Sequence, residues 1–466
     1  MENLNTALEM DQAYDESLEK ILELLEDKKY FQVRDELLKH DEVEISEMLV
    51  DIRREYDLQK LVVIFRTLPK DVSVEVFSYL DVDDQVDIIN IITDPEIEFI
   101  LDELDFDDMI DVLEELPANV VDKILSKTPK NERKMINTFL KYKEDSAGSL
   151  MTPDYINLSK SQTVREALDH IKEVGLDSET IYTCYVIDRG RKLTGVVSLR
   201  ALVISDDSLT VGDIMHDDPL CVHVDEDQEE VMDLFNRYGY LAIPVVDNEQ
   251  RLVGIVTVDD ILDVIEEETS EDIERMGGVI SNDDKTYLDM SVFSHVKARL
   301  PWLFLLMCSY FVTGGIISSF ENALSACISL VTYMPMLMGT GGNSGSQSST
   351  LVIRGMATGD LELDDAIKVM WKEIRVSVIV GVVLSVLNYG RIVFLDHEPP
   401  MVAMTVCCSM VLVVVIAKLI GSMLPMLAKK IGIDPALMAG PMMASITDMI
   451  SLGTYFLMAG IFLNIG

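Results

Sequence analysis

Cysteine is sparse. Six occur in 466 residues, none as a CxxC pair, and Cys308, Cys327, Cys407 and Cys408 sit in apolar stretches. Neither a disulfide framework nor a zinc site is expected. Basic residues are also few, with 38 Lys and Arg against 81 Asp and Glu, a net charge of −43. Nucleic-acid binding needs a basic footprint and is not expected. The six histidines form no Ser/His/Asp or Cys/His arrangement, and no His or Cys lies near the acidic clusters, so the chain does not read as an enzyme. Met1–Lys20 holds no apolar run, so no cleavable signal peptide is expected. With 48% hydrophobic residues, the chain is also not a wholly disordered acidic protein.

What is present is unevenly spread. Residues 291–466 carry 10 basic and 10 acidic residues, so the first 290 residues hold the whole net charge of −43. An acidic front and an apolar back exclude a single soluble globule.

The back contains the apolar runs Trp302–Phe320, Ala323–Met338, Val376–Leu395, Met401–Leu424 and Ala436–Leu463. Most approach the ~20 residues that cross a lipid bilayer as helix. Lys297, Arg299, Arg354, Lys368, Lys372, Arg375, Lys418, Lys429 and Lys430 flank alternate ends of these runs, and the other loops are acidic. The positive-inside rule puts the N-terminus in the cytoplasm, and five spans then put the C-terminus outside, in a multi-pass protein of the cell membrane.

Asp448 lies in the middle of the last run. A carboxylate at that depth is costly unless it faces water or a partner. Gly440, Ala444 and Asp448 share one helix face, which fits a narrow cation path with Asp448 as its charge; packing against a neighbouring helix is the plainer alternative. No intramembrane Lys or Arg is an obvious partner. The segment Pro335–Thr350, rich in Gly and hydroxyl residues, is expected to break its helix at the cytoplasmic end, lining water or buried in protein. It lacks the Gly-Lys-Ser/Thr of a phosphate loop.

In the front, Ser161–Gly175 aligns with Asp225–Gly239, and Val186–Ser198 with Val245–Thr257. The offset falls from 64 to 59, so the first copy carries an insertion. Each copy reads helix, strand, turn, strand, helix, and the pair resembles tandem CBS domains. Gly254-Ile-Val-Thr257-Val-Asp-Asp260 keeps the adenosine-type pattern, whereas the first copy has Ala201 where the acid belongs. Nucleotide-binding and purely structural roles both stay open. Residues 20 to 145 read as all-helical, with Leu68-Pro69 and Leu116-Pro117 opening helices, as in a solenoid. Acidic runs lie at Asp81–Asp84, Asp102–Glu115 and Asp259–Asp272. Such runs are commonly solvated faces. Brought together they repel, unless hard divalent cations sit between them.

In order, these parts resemble the MgtE family of magnesium channels over essentially the whole chain. The carrying motifs are Pro335–Thr350 with its Gly-Thr-Gly-Gly-Asn core, Asp434-Pro435-Ala436 followed by Gly440-Pro441 and Asp448, and Tyr142–Pro153. The resemblance implies an N-terminal tail at 1–20 and an acidic helical solenoid at 21–148. It implies a tandem α+β CBS pair at 149–275, a connecting helix at 276–300 and five transmembrane helices at 301–466. It implies a homodimer that passes Mg2+ and closes when intracellular Mg2+ is high. Asp448 and the backbone of Ala444 would hold hydrated Mg2+ in the pore. Regulatory metal would be held at Glu75, Asp107, Asp111, Asp227, Glu229, Asp260, Asp263, Glu268, Glu271 and Asp272. ATP would meet Arg200, Tyr240, Pro244 and Asp260. The chain departs from the family at Ser346, usually Asn, and at Thr183 and Ala201, often aromatic and acidic in ATP-binding members. Two other classes fit parts of the chain: a Na+- or H+-coupled divalent-cation transporter, and a membrane-anchored nucleotide sensor.

Overall fold

The computed structural model describes residues 2–56, 58–280, 287–288 and 290–463. It divides into two compact units, residues 1–265 and 266–466.

The first unit opens with helices: α1 (Glu2–Glu26), α2 (Tyr30–Leu37), α3 (Glu42–Glu55), α4 (Leu58–Phe65) and α5 (Lys70–Ser78). There follow α6 (Val82–Ile89), α7 (Asp94–Glu103), α8 (Phe106–Glu115), α9 (Ala118–Lys127) and α10 (Lys130–Phe139). The helical period is plain in α3, which buries Ile45, Met48, Leu49 and Ile52. Its start is capped by Asp41, whose carboxylate accepts from Glu44 N at 2.9 Å. Pro69 and Pro117 stand just before α5 and α9, as the Leu-Pro pairs foretell. The expected tail at 1–20 is helix instead, because no Gly or Pro interrupts the stretch leading to Glu26.

The first repeat comprises β1 (Tyr155–Leu158), α11 (Val164–Val174), β2 (Thr180–Ile187), β3 (Leu193–Ser198), α12 (Leu199–Ile204), α13 (Val211–Ile214) and β4 (His216–Asp217). The second comprises β5 (Val222–His223), α14 (Gln228–Tyr238), β6 (Ala242–Val246), β7 (Leu252–Thr257) and α15 (Val258–Gly277). The sheets run β1-β2-β3-β4 and β5-β6-β7, each with a parallel first pair and an antiparallel second. Val186 pairs with Gly195 as Val245 pairs with Gly254, so the copies are equivalent in register. A Cβ on Gly254 would lie 2.8 Å from the Thr152 carbonyl oxygen, which explains a glycine inside the strand. The first repeat has its own core around Val164, Cys184 and Val197. The second shares one apolar core with the helices: Phe106, Phe139, Ala147 and Met151 pack with Val222, Val224 and Val231. No boundary between cores falls at residue 148.

The second unit holds α16 (Val292–Ser319), α17 (Glu321–Ala326), α18 (Ser329–Ala357), α19 (Ala366–Phe394), α20 (Pro400–Lys430) and α21 (Gly440–Leu463). Among the described residues, four helices are long and apolar enough to span a bilayer, namely α16, α19, α20 and α21 with their flanks. The fifth long helix, α18, has 29 residues but is diluted by Gly and Ser. Two expectations are corrected here. The Gly-rich segment does not break its helix, since α18 runs unbroken from Ser329 to Ala357. Its glycines permit close packing: Gly345 lies against Thr447, Met443 and Ala417, and a Cβ on Gly421 of α20 would overlap the Gly345 carbonyl. The connecting helix expected over 276–300 is not one helix. α15 ends at Gly277, Gly278 takes a positive φ of 73°, and α16 begins only at Val292. Part of that interval, 281–286 and 289, lies outside the described residues.

Candidate functional site

Residues on one face of α18 recur with a helical period: Pro335, Met338, Gly339, Gly342, Asn343 and Ser346. With Ala444 and Asp448 of α21 they line a cavity of about 450 Å³. Ala444 and Asp448 are one turn apart on α21, and a Cβ on Gly342 would lie 3.7 Å from Ala444. Asp448 is half-buried and is the one ionisable residue of that lining among the described residues. No hydrogen bond or ion pair engages its carboxylate among the described residues. Lys418, a buried cation of α20, is taken elsewhere. Its Nζ donates to Ser348 Oγ at 3.2 Å and stands 4.0 Å from Glu373 Oε2, while Ser348 Oγ donates to the same oxygen at 2.8 Å. Asn343, Met338 and Pro335 were not singled out in the sequence because the segment read as irregular. Their spacing at three- and four-residue steps is the signal that a helix runs there.

In the first unit, carboxylates converge from separate stretches. Asp105, Asp107 and Asp108 come from the start of α8, Asp259, Asp260 and Asp263 from the start of α15, and Glu179 from just before β2. Burial, then the charges of Asp260, Glu179 and Asp108, push the Asp107 carboxyl up to about 9. One of its oxygens is buried without a partner. Burial and neighbouring acids raise Asp108 and Glu179 to about 7. Burial raises Asp260 to about 6, against hydrogen bonds from Thr257 N at 3.3 Å and Thr257 Oγ1 at 2.6 Å that hold it down. Among the described residues, no three such groups stand close enough to clasp a bare metal ion. Their chemistry suits a cation that keeps its water.

The other acids named from the sequence are dispersed. Glu75 is exposed on α5, and Asp111 is exposed on α8. Asp227 caps α14, accepting from Glu229 N at 3.1 Å. In the second unit, Glu271 pairs with Arg275, and burial with the charges of Asp434 and Glu268 raises the Asp272 carboxyl. Arg275 Nη1 donates to Asp434 Oδ2 at 2.6 Å, and Asp434 Oδ1 accepts from Ala436 N at 2.7 Å. This pins the end of α15 to the turn that starts α21. Glu179 was missed by sequence reading: it is a lone acid, delivered only because β1 and β2 pair in parallel.

For a nucleotide, Asp260 offers one carboxylate oxygen beyond those hydrogen bonds, and the exposed Tyr240 ring stacks on Tyr238 at 5.7 Å. Arg200 is exposed at the start of α12, and Pro244 is buried in β6. These groups suit a ribose, a ring and a phosphate.

Long apolar helices around a carboxylate-bearing cavity, joined to a CBS pair, define a multi-pass membrane protein. The family model described as MgtE, divalent cation transporter, matches residues 334–458. The MgtE intracellular N domain matches 46–145, and CBS domains match 147–205 and 211–267. The magnesium transporter MgtE of Thermus thermophilus is 42% identical over 71% of this chain and 73% of its own length. That of Bacillus subtilis is 32% identical over 97% of this chain and 98% of its own. A crystal structure of the cytosolic domain of the Mg2+ channel MgtE with ATP is 35% identical, covering 53% of this chain and 99% of that one, with a TM-score of 0.49. The chain belongs to the MgtE family.

Proposed function

We propose that the chain is a Mg2+ channel of the cell membrane, importing Mg2+ as a homodimer and closing when intracellular Mg2+ is high. The observation that carries this reading is Asp448, a carboxylate that has no partner among the described residues and lines a cavity between α18 and α21. An unneutralised anion at that depth is stabilised by a cation, and Mg2+ surrenders water reluctantly, so a hydrated ion fits a roomy cavity. The Asp448 carboxylate and the Ala444 backbone hold its water shell. All lining residues belong to two helices of one chain, and a second copy would close the path and bring two Asp448 carboxylates together. The lysines and arginines at alternate helix ends support a cytoplasmic N-terminus and an external C-terminus.

Closure follows from the raised carboxyls. Without cations, the acids of α8 repel those at the start of α15. Mg2+ among them removes that repulsion and favours the packed state, and an ion shifts the balance only by its differential affinity for the two states. Asp107, Asp260 and Asp263 serve one such group, with Asp111 supplying an outlying oxygen. Glu268, Glu271 and Asp272 serve another near Asp434, and Glu75, Asp227 and Glu229 supply further oxygens. α15 carries the change to Arg275, and Asp434 passes it to α21. ATP is held at Arg200, Tyr240, Pro244 and Asp260, where it contributes phosphate charge next to the acidic cluster.

Asp448→Ala tests the reading. The variant is expected to insert normally yet fail to rescue growth of a Mg2+-uptake-deficient host, and full rescue overturns the pore assignment.

A further inference from the structure

The turns linking β2 to β3 and β6 to β7 are built alike. Asp188 Oδ1 accepts from Gly190 N at 2.7 Å and Lys192 N at 2.9 Å, and Asp247 Oδ1 accepts from Glu249 N and Arg251 N, both at 2.9 Å. Each turn closes on a left-handed residue, Arg191 at φ 64° and Gln250 at φ 63°. The turns are zipped to each other: Leu193 N donates to Gln250 O at 3.2 Å, and Leu252 N to Arg191 O at 2.9 Å.

Between them lies a cavity of about 350 Å³ lined by Arg189, Gly190, Arg191, Asp247, Arg251, Leu252 and Val253. Three arginines thus line one cavity in a chain whose net charge is −43. Among the described residues, an ion pair engages one of the three. Arg191 Nη2 reaches only neutral acceptors, Tyr155 Oη at 3.2 Å and Leu252 O at 3.4 Å, which aim it across the seam between the repeats. Among the described residues, Arg189 makes no hydrogen bond or ion pair. Arg251 pairs with Glu249, whose side chain is 62% exposed and free to swing away. One oxygen of Asp247 is spent on its own turn.

Planar, always-charged guanidinium forks match phosphate oxygens, and a space of this size accepts a small organic anion. The cleft is at the opposite end of β7 from Asp260, roughly 17 Å along the strand. We propose that it is an anion site for a phosphate-bearing small molecule, separate from the adenosine position at Thr257–Asp260. Its occupant would bind both turns at once and so lock the two repeats together.

Calorimetric titration of inorganic pyrophosphate into the full chain in detergent, freed of divalent cations by EDTA, tests this. Binding is expected at one site per chain and to weaken with added salt. Arg189→Ala and Arg251→Ala are each expected to weaken it about tenfold, the loss of one charge-assisted hydrogen bond. Arg189 holds nothing else in place, so its variant keeps the fold. Asp260→Ala is expected to bind as the parent does, and ATP to compete where adenosine does not. Absence of heat at millimolar pyrophosphate, parental affinity in both arginine variants, or loss of binding in Asp260→Ala overturns the proposal.

Discussion

Two residues in the apolar unit show how differently a buried charge can be handled. Lys418 is 5% exposed and tied to Ser348 and Glu373, whereas Asp448 has no partner among the described residues. Removing one member of a buried ion pair strands the other, at a cost of about 3–5 kcal/mol. Lys418→Met is therefore expected to lower the thermal unfolding midpoint sharply, and Lys418→Met with Glu373→Gln to recover most of the loss. A double-mutant cycle in detergent measures the coupling, and additive losses contradict it. The acids of the first unit make a statement about pH. Asp107 at about 9, Asp108 and Glu179 at about 7 and Asp260 at about 6 all stand above ordinary carboxyls. A carboxyl raised in the folded state contributes stability that is complete below its unfolded value and lost as pH climbs through the folded one. The chelated protein should thus unfold at a higher temperature at pH 6 than at pH 8.5, and added Mg2+ should flatten the difference. Asp107→Asn should remove the part of that slope nearest pH 9. The acidic runs were legible in the sequence, but which acids meet was not. Asp107 and Asp260 are far apart along the chain, and neither composition nor period reports such contact.

Among the elements, α18 departs furthest from its sequence. A glycine costs about 1 kcal/mol in a helix in water, and that rule made the segment read as a break. Inside a bilayer the backbone has no water to bond, so the helix persists and its glycines become contact surface. Gly421 tests this. A Cβ there would strike the Gly345 carbonyl, so Gly421→Ala is expected to cost about 1–3 kcal/mol and to depress Mg2+ flux. Unchanged stability would show that α18 and α20 have room to part. The repeats were far more legible. Their strands alternate and their turns carry Asp and Gly, and the insertion implied by the changing offset is shared between the connection from α11 to β2, longer than that from α14 to β6, and β2 itself, which has 8 residues against 5 in β6.

At the scale of the whole molecule, the contrast between acidic front and apolar back anticipates the division into residues 1–265 and 266–466. Deleting residues 1–275 takes away the first unit entire, together with most of α15. The expected product is a conducting pore indifferent to cytoplasmic Mg2+ in patch-clamp, and persisting Mg2+ block would contradict the sensing role.

A shorter deletion has a different meaning. Because Phe106 and Phe139 roof over Met151, Val222, Val224 and Val231, excision up to residue 148 would leave the second repeat with an oily flank bare to solvent. Aggregation or misfolding of that mutant would then mimic lost regulation, and only a cut that respects this common interior can tell a silenced sensor from a wounded one.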